Sequence, residues 1–368
     1  MVSSDVLFAP FRLKGLNLPN RIVMAPMTRQ KSPGQIPNDD VVAYYRRRAE
    51  GGTGLILTEG TSPENKSASN SSEVPAFFGE ASLAGWANVL AAVKAAGGHI
   101  MPQLWHQGIV RKAGTGPYPE SPSLSPSGLF KPGTKAGEPM TQAEIDSVVE
   151  GFAKSAGYAK ELGFDGVEIH GAHGYIIDEF FWEGTNRRDD KYGGSLENRT
   201  RFAADIVRAV RAATGPDFPV LLRFSQWKQQ DYAARLAATP DELARFLAPL
   251  CDAGVDMFHC STRRFWEPEF PETGSDLNLA GWTKKLSGKP TITVGSVGLN
   301  DDFINAFLQK GAEPQGIDRL ISMMERGDFD LVAVGRALIV NPDWANKVRA
   351  DKLSELKPYL PQALATLV

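Results

Sequence analysis

Eight short segments rich in β-forming residues recur along this 368-residue chain, and most of them are followed by residues with helical spacing. They cover residues 21–27, 54–61, 99–105, 163–170, 219–225, 255–261, 290–296 and 329–336. Strands that alternate with helices pair in parallel, and eight parallel strands are the number that closes a barrel. The pattern therefore favours an α/β fold, a single (β/α)8 TIM barrel that forms one domain over residues 1–368.

The composition of the strands supports this architecture. Residues 54–58 and 291–294 are almost continuously apolar, which is typical of strands covered on both faces. An open, doubly wound sheet is the alternative. A dinucleotide-binding sheet of that kind needs a Gly-x-Gly-x-x-Gly turn after its first strand, where this chain has Ala-Pro-Met-Thr at 25–28.

Several helix ends and two additional segments can be predicted. Residues 141–144 (Thr-Gln-Ala-Glu) and 239–242 (Thr-Pro-Asp-Glu) are typical of capped helix starts, and Gly215 is a candidate left-handed cap. Residues 8–18 predict a hairpin that caps the N-terminal end of the barrel. Residues 114–139, rich in Gly, Pro and Ser, predict a long loop after the third strand that lies over the C-terminal mouth.

Charge and composition exclude several function classes. The net charge of −3 and the absence of a run of five basic residues argue against a nucleic-acid partner. Pro10, Arg12 and Lys14 interrupt the region where a signal peptide needs apolar residues, and no membrane-length apolar run occurs, so we expect a cytoplasmic protein without a membrane partner. Cys251 and Cys260 are expected to be reduced structural residues.

Polar and aromatic residues gather at the predicted strand ends, where a barrel of this kind carries its active site. They are Thr28, Glu59, Gly60, Gln103, Trp105, His106, Glu168, His170, His173, Tyr175 and Arg223. Two imidazoles three residues apart, with a phenol two residues further on, suggest hydrogen-bond donors directed at one small oxygen atom. Thr28 and Gln103 could equally satisfy neighbouring polar groups.

Other chemistries fit this set less well. A zinc site would need a third ligand such as Glu168 or His106, and the glycines of the 170–175 segment bend it away from the helical spacing of zinc proteases. No lysine ends a predicted strand, which disfavours a Schiff-base aldolase, and no Gly-x-Ser-x-Gly elbow occurs. Donors without a nucleophile can polarise a substrate but need a cofactor to supply electrons.

The last two predicted strands indicate where such a cofactor binds. Gly295 and Ser296 follow the seventh strand, and Gly335 and Arg336 follow the eighth. Loops after these two strands are the usual phosphate site of this fold. We therefore expect a phosphorylated cofactor.

Five motifs in this order resemble the Old Yellow Enzyme family of flavin-dependent ene-reductases over residues 5 to 348. They are Ala-Pro-Met-Thr at 25–28, Gln-Leu-Trp-His at 103–106, His-Gly-Ala-His-Gly-Tyr at 170–175, the polar stretch at 186–199 and Val-Gly-Arg at 334–336. The resemblance implies bound FMN, reduced by NADPH or NADH, and activated alkenes as substrates. The residues it assigns to FMN are Ala25, Pro26, Met27, Thr28, Gly60, Gln103, Arg223, Gly295, Ser296, Gly335 and Arg336.

The resemblance also implies roles within the site. Thr28 would lie near flavin O4, Gln103 at the pyrimidine edge and Arg223 near N1 and O2. His170 and His173 would donate to the carbonyl or nitro oxygen of the substrate while flavin N5 delivers hydride to the β carbon. Tyr175 would protonate the α carbon, and Trp105 would form the pocket wall.

One position separates this chain from part of the family, and several questions stay open. Thr28 occupies the position of a cysteine in another branch, so the chain is similar to a threonine branch. No family role is evident for residues 227–238. The choice between NADH and NADPH, and between monomer and homodimer, is open. The rival functions are a phosphate-binding lyase or isomerase with Glu168 or His106 as base, and a flavin-binding module without catalysis.

Overall fold

The computed structural model describes residues 3–301 and 310–368. Eight parallel strands form a closed barrel, in the chain order that the sequence predicts. The barrel strands are β3 (Ile22–Met24), β4 (Leu55–Thr61), β5 (Ile100–Leu104), β8 (Val167–His173), β9 (Val220–Lys228), β10 (Met257–Ser261), β11 (Thr291–Val294) and β12 (Leu331–Val334). The last strand pairs with the first, with Val332 opposite Ile22, and so closes the sheet. The predicted (β/α)8 barrel is confirmed.

Helices cover the outside of the barrel and bury their apolar faces against the strands. The main ones are α2 (Asp39–Glu50), α3 (Glu80–Ala95), α4 (Gln142–Leu162), α6 (Leu196–Thr214), α7 (Pro240–Ala253) and α8 (Leu279–Ser287). Shorter helices are α1 (Asp5–Phe8), α5 (Ile176–Phe181), α9 (Asp318–Glu325), α10 (Arg336–Val340) and α11 (Trp344–Arg349). In the part of the chain described above, no helix has both the length and the apolar character needed to cross a bilayer.

The predicted helix ends are formed with two differences. Helix α4 has the complete capping box, because Thr141 and Glu144 each accept the other's backbone N–H. At α7, Thr239 caps the helix as predicted, but the Glu242 carboxylate accepts from the backbone N–H of Ala238. Gly215 has the predicted positive φ of 76°, yet its ψ of −179° is extended, so it is not a left-handed helical cap.

The predicted N-terminal hairpin closes the bottom of the barrel. It consists of β1 (Phe11–Leu13) and β2 (Leu16–Leu18), which pair antiparallel. Leu16 and Leu18 are buried in the same apolar cluster as the side chains inside the barrel. Because this end is sealed by apolar residues, only the opposite end offers space for a polar site.

The long loop after β5 is held by a buried arginine, and its position over the mouth stays a prediction. It contains a small hairpin, β6 (Leu129–Lys131) and β7 (Thr134–Lys135), but none of residues 114–139 lines the cavity at the barrel mouth. The buried guanidinium of Arg111 donates to the backbone carbonyls of Thr115, Tyr118 and Ser121. These bonds hold the first part of the loop in place, because a buried cation needs several acceptors.

Candidate active site

A cavity of about 530 Å³ opens at the C-terminal end of the barrel and receives residues from all eight strand ends. This volume is typical of small-molecule sites. The cavity brings together every residue that the sequence analysis assigned to cofactor, substrate or catalysis: Ala25, Pro26, Met27, Thr28, Gly60, Gln103, Trp105, His170, His173, Tyr175, Arg223, Gly295, Ser296, Gly335 and Arg336. Their placement agrees with the sequence analysis, and their individual roles stay predictions.

The two imidazoles and the phenol form one aromatic cluster. The ring centroid of His170 lies 5.1 Å from that of His173 and 5.3 Å from that of Tyr175, and Trp105 meets Tyr175 edge to face at 5.0 Å. The strand β8 ends at His173, whose φ is +67°, and Gly174 follows at +77°. The positive φ of Gly174 favours glycine there, and a Cβ at this position would also displace the end of the Gln230 side chain, which lies 1.9 Å away.

His170 is held in one tautomer. Its Nδ1 accepts the backbone N–H of Ala172 at 3.2 Å, so the proton of the neutral ring is on Nε2. Burial, and then the positive charge of Arg223, hold the pKa of His170 well below its usual value. The side chain is therefore a neutral imidazole with one N–H donor.

His173 is held by contacts that the sequence does not predict. Its Nε2 lies 2.8 Å from Oγ of Ser261, and its ring stacks on Trp227 with centroids 4.6 Å apart. Burial, and then Arg223, lower the pKa of His173 strongly, so this ring is neutral too. Arg223 donates to the same Ser261 hydroxyl at 3.3 Å, and the second lone pair of that oxygen can accept an Nε2–H of His173.

Tyr175 presents a neutral phenol to the cavity. Its hydroxyl oxygen accepts a hydrogen bond from Nε2 of Gln229 at 3.0 Å. Burial raises the pKa of Tyr175, and the Gln229 bond partly offsets this effect. The phenol therefore keeps its proton at neutral pH and can act as an acid.

Beneath the cavity, a buried carboxylate connects two strands. Glu168 accepts from Nε2 of Gln103 with one oxygen and contacts Nδ1 of His259 with the other, each at 2.7 Å. Both Glu168 and His259 are fully buried. Burial lowers the pKa of His259, while Glu168 opposes that effect. The network fixes the Gln103 amide and places negative charge near Arg223.

The polar atoms here fit the flavin ring that the sequence resemblance implies. Within the described residues, buried Nε of Arg223 and Nε1 of Trp105 have no hydrogen-bond partner. Buried donors of this kind call for an acceptor from outside the chain. A Cβ on Gly60 would lie 2.6 Å from the Trp105 ring, so glycine keeps this wall of the cavity open. A flat ring with carbonyl and ring-nitrogen acceptors suits this cradle.

The ends of β11 and β12 are adjacent in the sheet and supply the phosphate-binding residues predicted from the sequence. Ser296 has a φ of +53°, and its hydroxyl lies 3.0 Å from the carbonyls of Arg263 and Asp301. Arg336 contacts the Asp301 carbonyl and lies over the Tyr359 ring. Arg263 also lines the cavity, so two arginines lie at this end of it.

Sequence reasoning missed several residues that line the cavity. Trp227 and Gln229 belong to the 227–238 segment that had no assigned role, and Ser261 and Arg263 come from the end of β10. Strand β9 extends to Lys228, beyond the predicted end at 225. The residues that follow Phe224 are polar except for Trp227, and such a run gives no strand signal, although the strand here is buried on both faces.

The two alternative bases are not placed for catalysis. Neither Glu168 nor His106 lines the cavity. His106 is fully buried, its Nδ1 accepts the backbone N–H of Gly108, and burial lowers its pKa to about 3. In residues 3–301 and 310–368, no three His, Cys, Asp or Glu side chains are grouped as metal ligands.

Comparison with known families gives a match over most of the chain. The sequence profile of the NADH:flavin oxidoreductase / NADH oxidase family covers residues 6–355. An NADH oxidase from Thermoanaerobacter brockii is 34% identical over 360 residues, 95% of this chain. The chain spans 52% of that enzyme's length.

Plant relatives are matched over most of both chains. A putative 12-oxophytodienoate reductase 11 from Oryza sativa subsp. japonica is 32% identical over 95% of this chain and 92% of its own. The 12-oxophytodienoate reductase 2 from Arabidopsis thaliana is 30% identical, over 94% and 88%.

Solved structures share the fold over nearly the whole chain. Morphinone reductase in complex with tetrahydroNAD superposes with a TM-score of 0.80 at 29% identity, covering 97% of this chain and 93% of its own. An Old Yellow Enzyme homologue from Zymomonas mobilis gives a TM-score of 0.80 at 25% identity, over 97% and 96%.

Proposed function

The chain belongs to the NADH:flavin oxidoreductase / NADH oxidase family, which includes Old Yellow Enzyme homologues, and from this premise we propose that it is an NAD(P)H-dependent ene-reductase. Its proposed substrates are α,β-unsaturated carbonyl or nitro compounds. The observation that carries this proposal is one cavity with neutral donors and an acid on one wall and phosphate-binding loops at the ends of β11 and β12.

Residues of this chain would hold FMN through its two polar ends. Arg223 would face N1 and O2 of the ring, where its charge stabilises negative charge on the reduced cofactor. Gln103 would bind the pyrimidine edge, and Thr28 would bind near O4 as in the threonine branch. Ser296 and Arg336, with the backbone at 295 and 335, would bind the phosphate. When bound, FMN would supply from N5 the hydride for the substrate β carbon, with NADPH or NADH as the reductant.

The imidazoles would bind and polarise the substrate oxygen. His170 has its proton on Nε2, and its neutral state makes it a donor without adding a fixed charge. His173 would join it when the substrate oxygen shares or replaces the contact with Ser261. Two donors on one oxygen draw electron density from the β carbon and favour attack there.

Tyr175 would complete the reduction by donating its proton to the α carbon. The cluster places its ring against both Trp105 and His170, on the wall that would hold the substrate oxygen. A phenol with a raised pKa is protonated throughout the neutral range, so the acid is always available. Trp105 would limit which substrates fit beside it.

The test separates the two half-reactions. Purified protein is reduced anaerobically with NADPH and, in parallel, with NADH, and 2-cyclohexenone is then added while the visible spectrum is followed. We expect a yellow protein that loses its flavin absorbance with a nicotinamide and regains it with the alkene. Colourless protein that takes up no added FMN would refute the proposal. A reduced flavin that no enone or nitroalkene reoxidises would support a flavin-binding module instead.

A further inference from the structure

Four consecutive residues at the end of β9, here called the clamp segment (residues 227–230), contact the turn that carries His173 and Tyr175. Trp227 stacks on His173, and Gln229 donates to the Tyr175 hydroxyl. Gln230 donates to the backbone carbonyl of Gly174 at 2.9 Å. The segment thus contacts three successive residues of the turn, although the family motifs do not include it.

The remaining residue of the clamp segment, Lys228, is linked to the same turn through Asp178. Nζ of Lys228 lies 2.6 Å from Asp178, and neither side chain is exposed to solvent. The second oxygen of Asp178 accepts the backbone N–H of Gly174 at 2.7 Å. A buried ion pair is costly to break because either partner alone would be an uncompensated charge, so this pair ties the turn to the clamp segment.

The direction of the Gln229 bond matters for the chemistry. An amide N–H can only donate, so the phenol oxygen of Tyr175 acts as the acceptor and its own proton is not used in this bond. That proton is left free to point into the cavity. After the proton has left, the same amide N–H donates to the phenolate oxygen and stabilises its charge.

We propose that Gln229 is a positioning residue for proton donation by Tyr175, an inference that rests on the proposed ene-reductase function. In the step concerned, the Tyr175 O–H bond breaks and the proton bonds to the α carbon of the alkene. The electron pair of that bond stays on the phenolate oxygen, next to the Gln229 N–H. Solvent then returns a proton to Tyr175, while the hydride comes from the cofactor reduced by nicotinamide.

Reversing the hydrogen bond tests this role. In Gln229→Glu, an ionised carboxylate can only accept, so Tyr175 would donate to it and its proton would turn away from the cavity. At about pH 8 we expect alkene reduction to slow by roughly tenfold to a hundredfold, which does not exceed the rate enhancement that a general acid provides. The rate should recover as the pH falls and the introduced carboxylate becomes protonated, because the protonated acid again donates.

Two further variants separate positioning from structure, and a third is the matched control. Gln229→Leu removes the donor without adding an acceptor, so its rate loss should not recover at low pH. In a Tyr175→Phe background, Gln229→Glu should cause no additional loss, since the group it acts on is gone. Gln315→Glu, the same change at an exposed residue outside the cavity, should match the wild type.

Both half-reactions are measured by anaerobic stopped-flow mixing across the pH range. Retained FMN absorbance and an unchanged rate of flavin reduction show that each variant is folded and bound to cofactor. Any of three results would overturn the inference. Gln229→Glu could reduce the alkene at the wild-type rate at high pH, or its rate loss could be independent of pH. It could also lose the same factor in rate when Tyr175 is already Phe. A wild-type protein that reduces no alkene would refute the proposed function itself.

Discussion

The carboxylate of Glu168 accepts a hydrogen bond from the side-chain amide of Gln103 at 2.7 Å, directly beneath the cavity. This bond engages one amide N–H and thereby determines how Gln103 faces the site. The remaining N–H and the amide oxygen are a donor and an acceptor side by side. That pair is complementary to the pyrimidine edge of a flavin, where a ring N–H lies next to a carbonyl.

We expect Glu168→Gln to weaken FMN binding and lower stability by about 2 kcal/mol, because the buried contacts of the carboxylate with Gln103 and His259 lose their charge. FMN titration and thermal unfolding measure the two effects. Glu313→Gln makes the same change at an exposed residue and should leave both values unchanged. Unaltered FMN affinity in Glu168→Gln would show that Gln103 needs no such partner.

The double variant His170→Ala and His173→Ala should keep FMN but lose binding of phenols, which mimic the substrate oxygen. Neither imidazole contacts the phosphate-binding residues, so cofactor affinity should change little. Phenol titration followed by the charge-transfer band of the oxidised flavin measures the loss, which we expect to exceed about tenfold, or 1.4 kcal/mol. Full retention of the band would remove both residues from the substrate site.

Arg336→Met should reduce affinity for FMN by about tenfold to a hundredfold, because a charge-assisted contact with the phosphate is lost. Riboflavin lacks the phosphate, so its affinity should be the same in variant and wild type. Fluorescence quenching measures both ligands. Arg349→Met, which removes a guanidinium lying over Phe8 outside the cavity, is the matched control. Equal losses for both flavins would argue for a structural role of Arg336.

Glu59→Gln should stabilise the protein more at high pH than at low pH. Burial raises the pKa of Glu59 to about 7, while its carboxylate accepts the backbone N–H groups of Arg29 and Gln30. The folded protein thus keeps a proton that the unfolded chain releases near pH 4.5. The stabilisation that this retained proton gives the folded protein is complete below that pH and is lost as the pH rises through about 7.

The uncharged amide should avoid this loss. The gain of the variant over the wild type should grow by at most about 3 kcal/mol between about pH 5 and pH 8, since one pKa unit corresponds to about 1.4 kcal/mol. Thermal unfolding at both pH values gives the difference. A gain independent of pH would mean that Glu59 does not titrate in this range.

The sequence alone determined the barrel and many of the residues at its mouth. Strands such as β4 and β11 are recognisable because a buried parallel strand needs a continuous apolar run. Once eight such strands are placed, all their C-terminal ends lie at one end of the barrel. Polar residues that are distant in sequence can therefore be assigned to one cavity even when their contacts are not known. That is why Thr28, Arg223 and Arg336 could be grouped from their positions in the chain.

Only the tertiary structure decided which side chains hold one another. Gln229 and Tyr175 are 54 residues apart, His173 and Ser261 are 88 apart, and Glu168 and His259 are 91 apart. Each pair depends on the stagger of the barrel strands, and the Gln229–Tyr175 pair depends also on how far β9 extends. A shift of one residue would turn each strand side chain to the opposite face. Hydrophobic patterns specify that a strand is buried but carry no information about which polar group stands opposite, so these partners follow from packing alone.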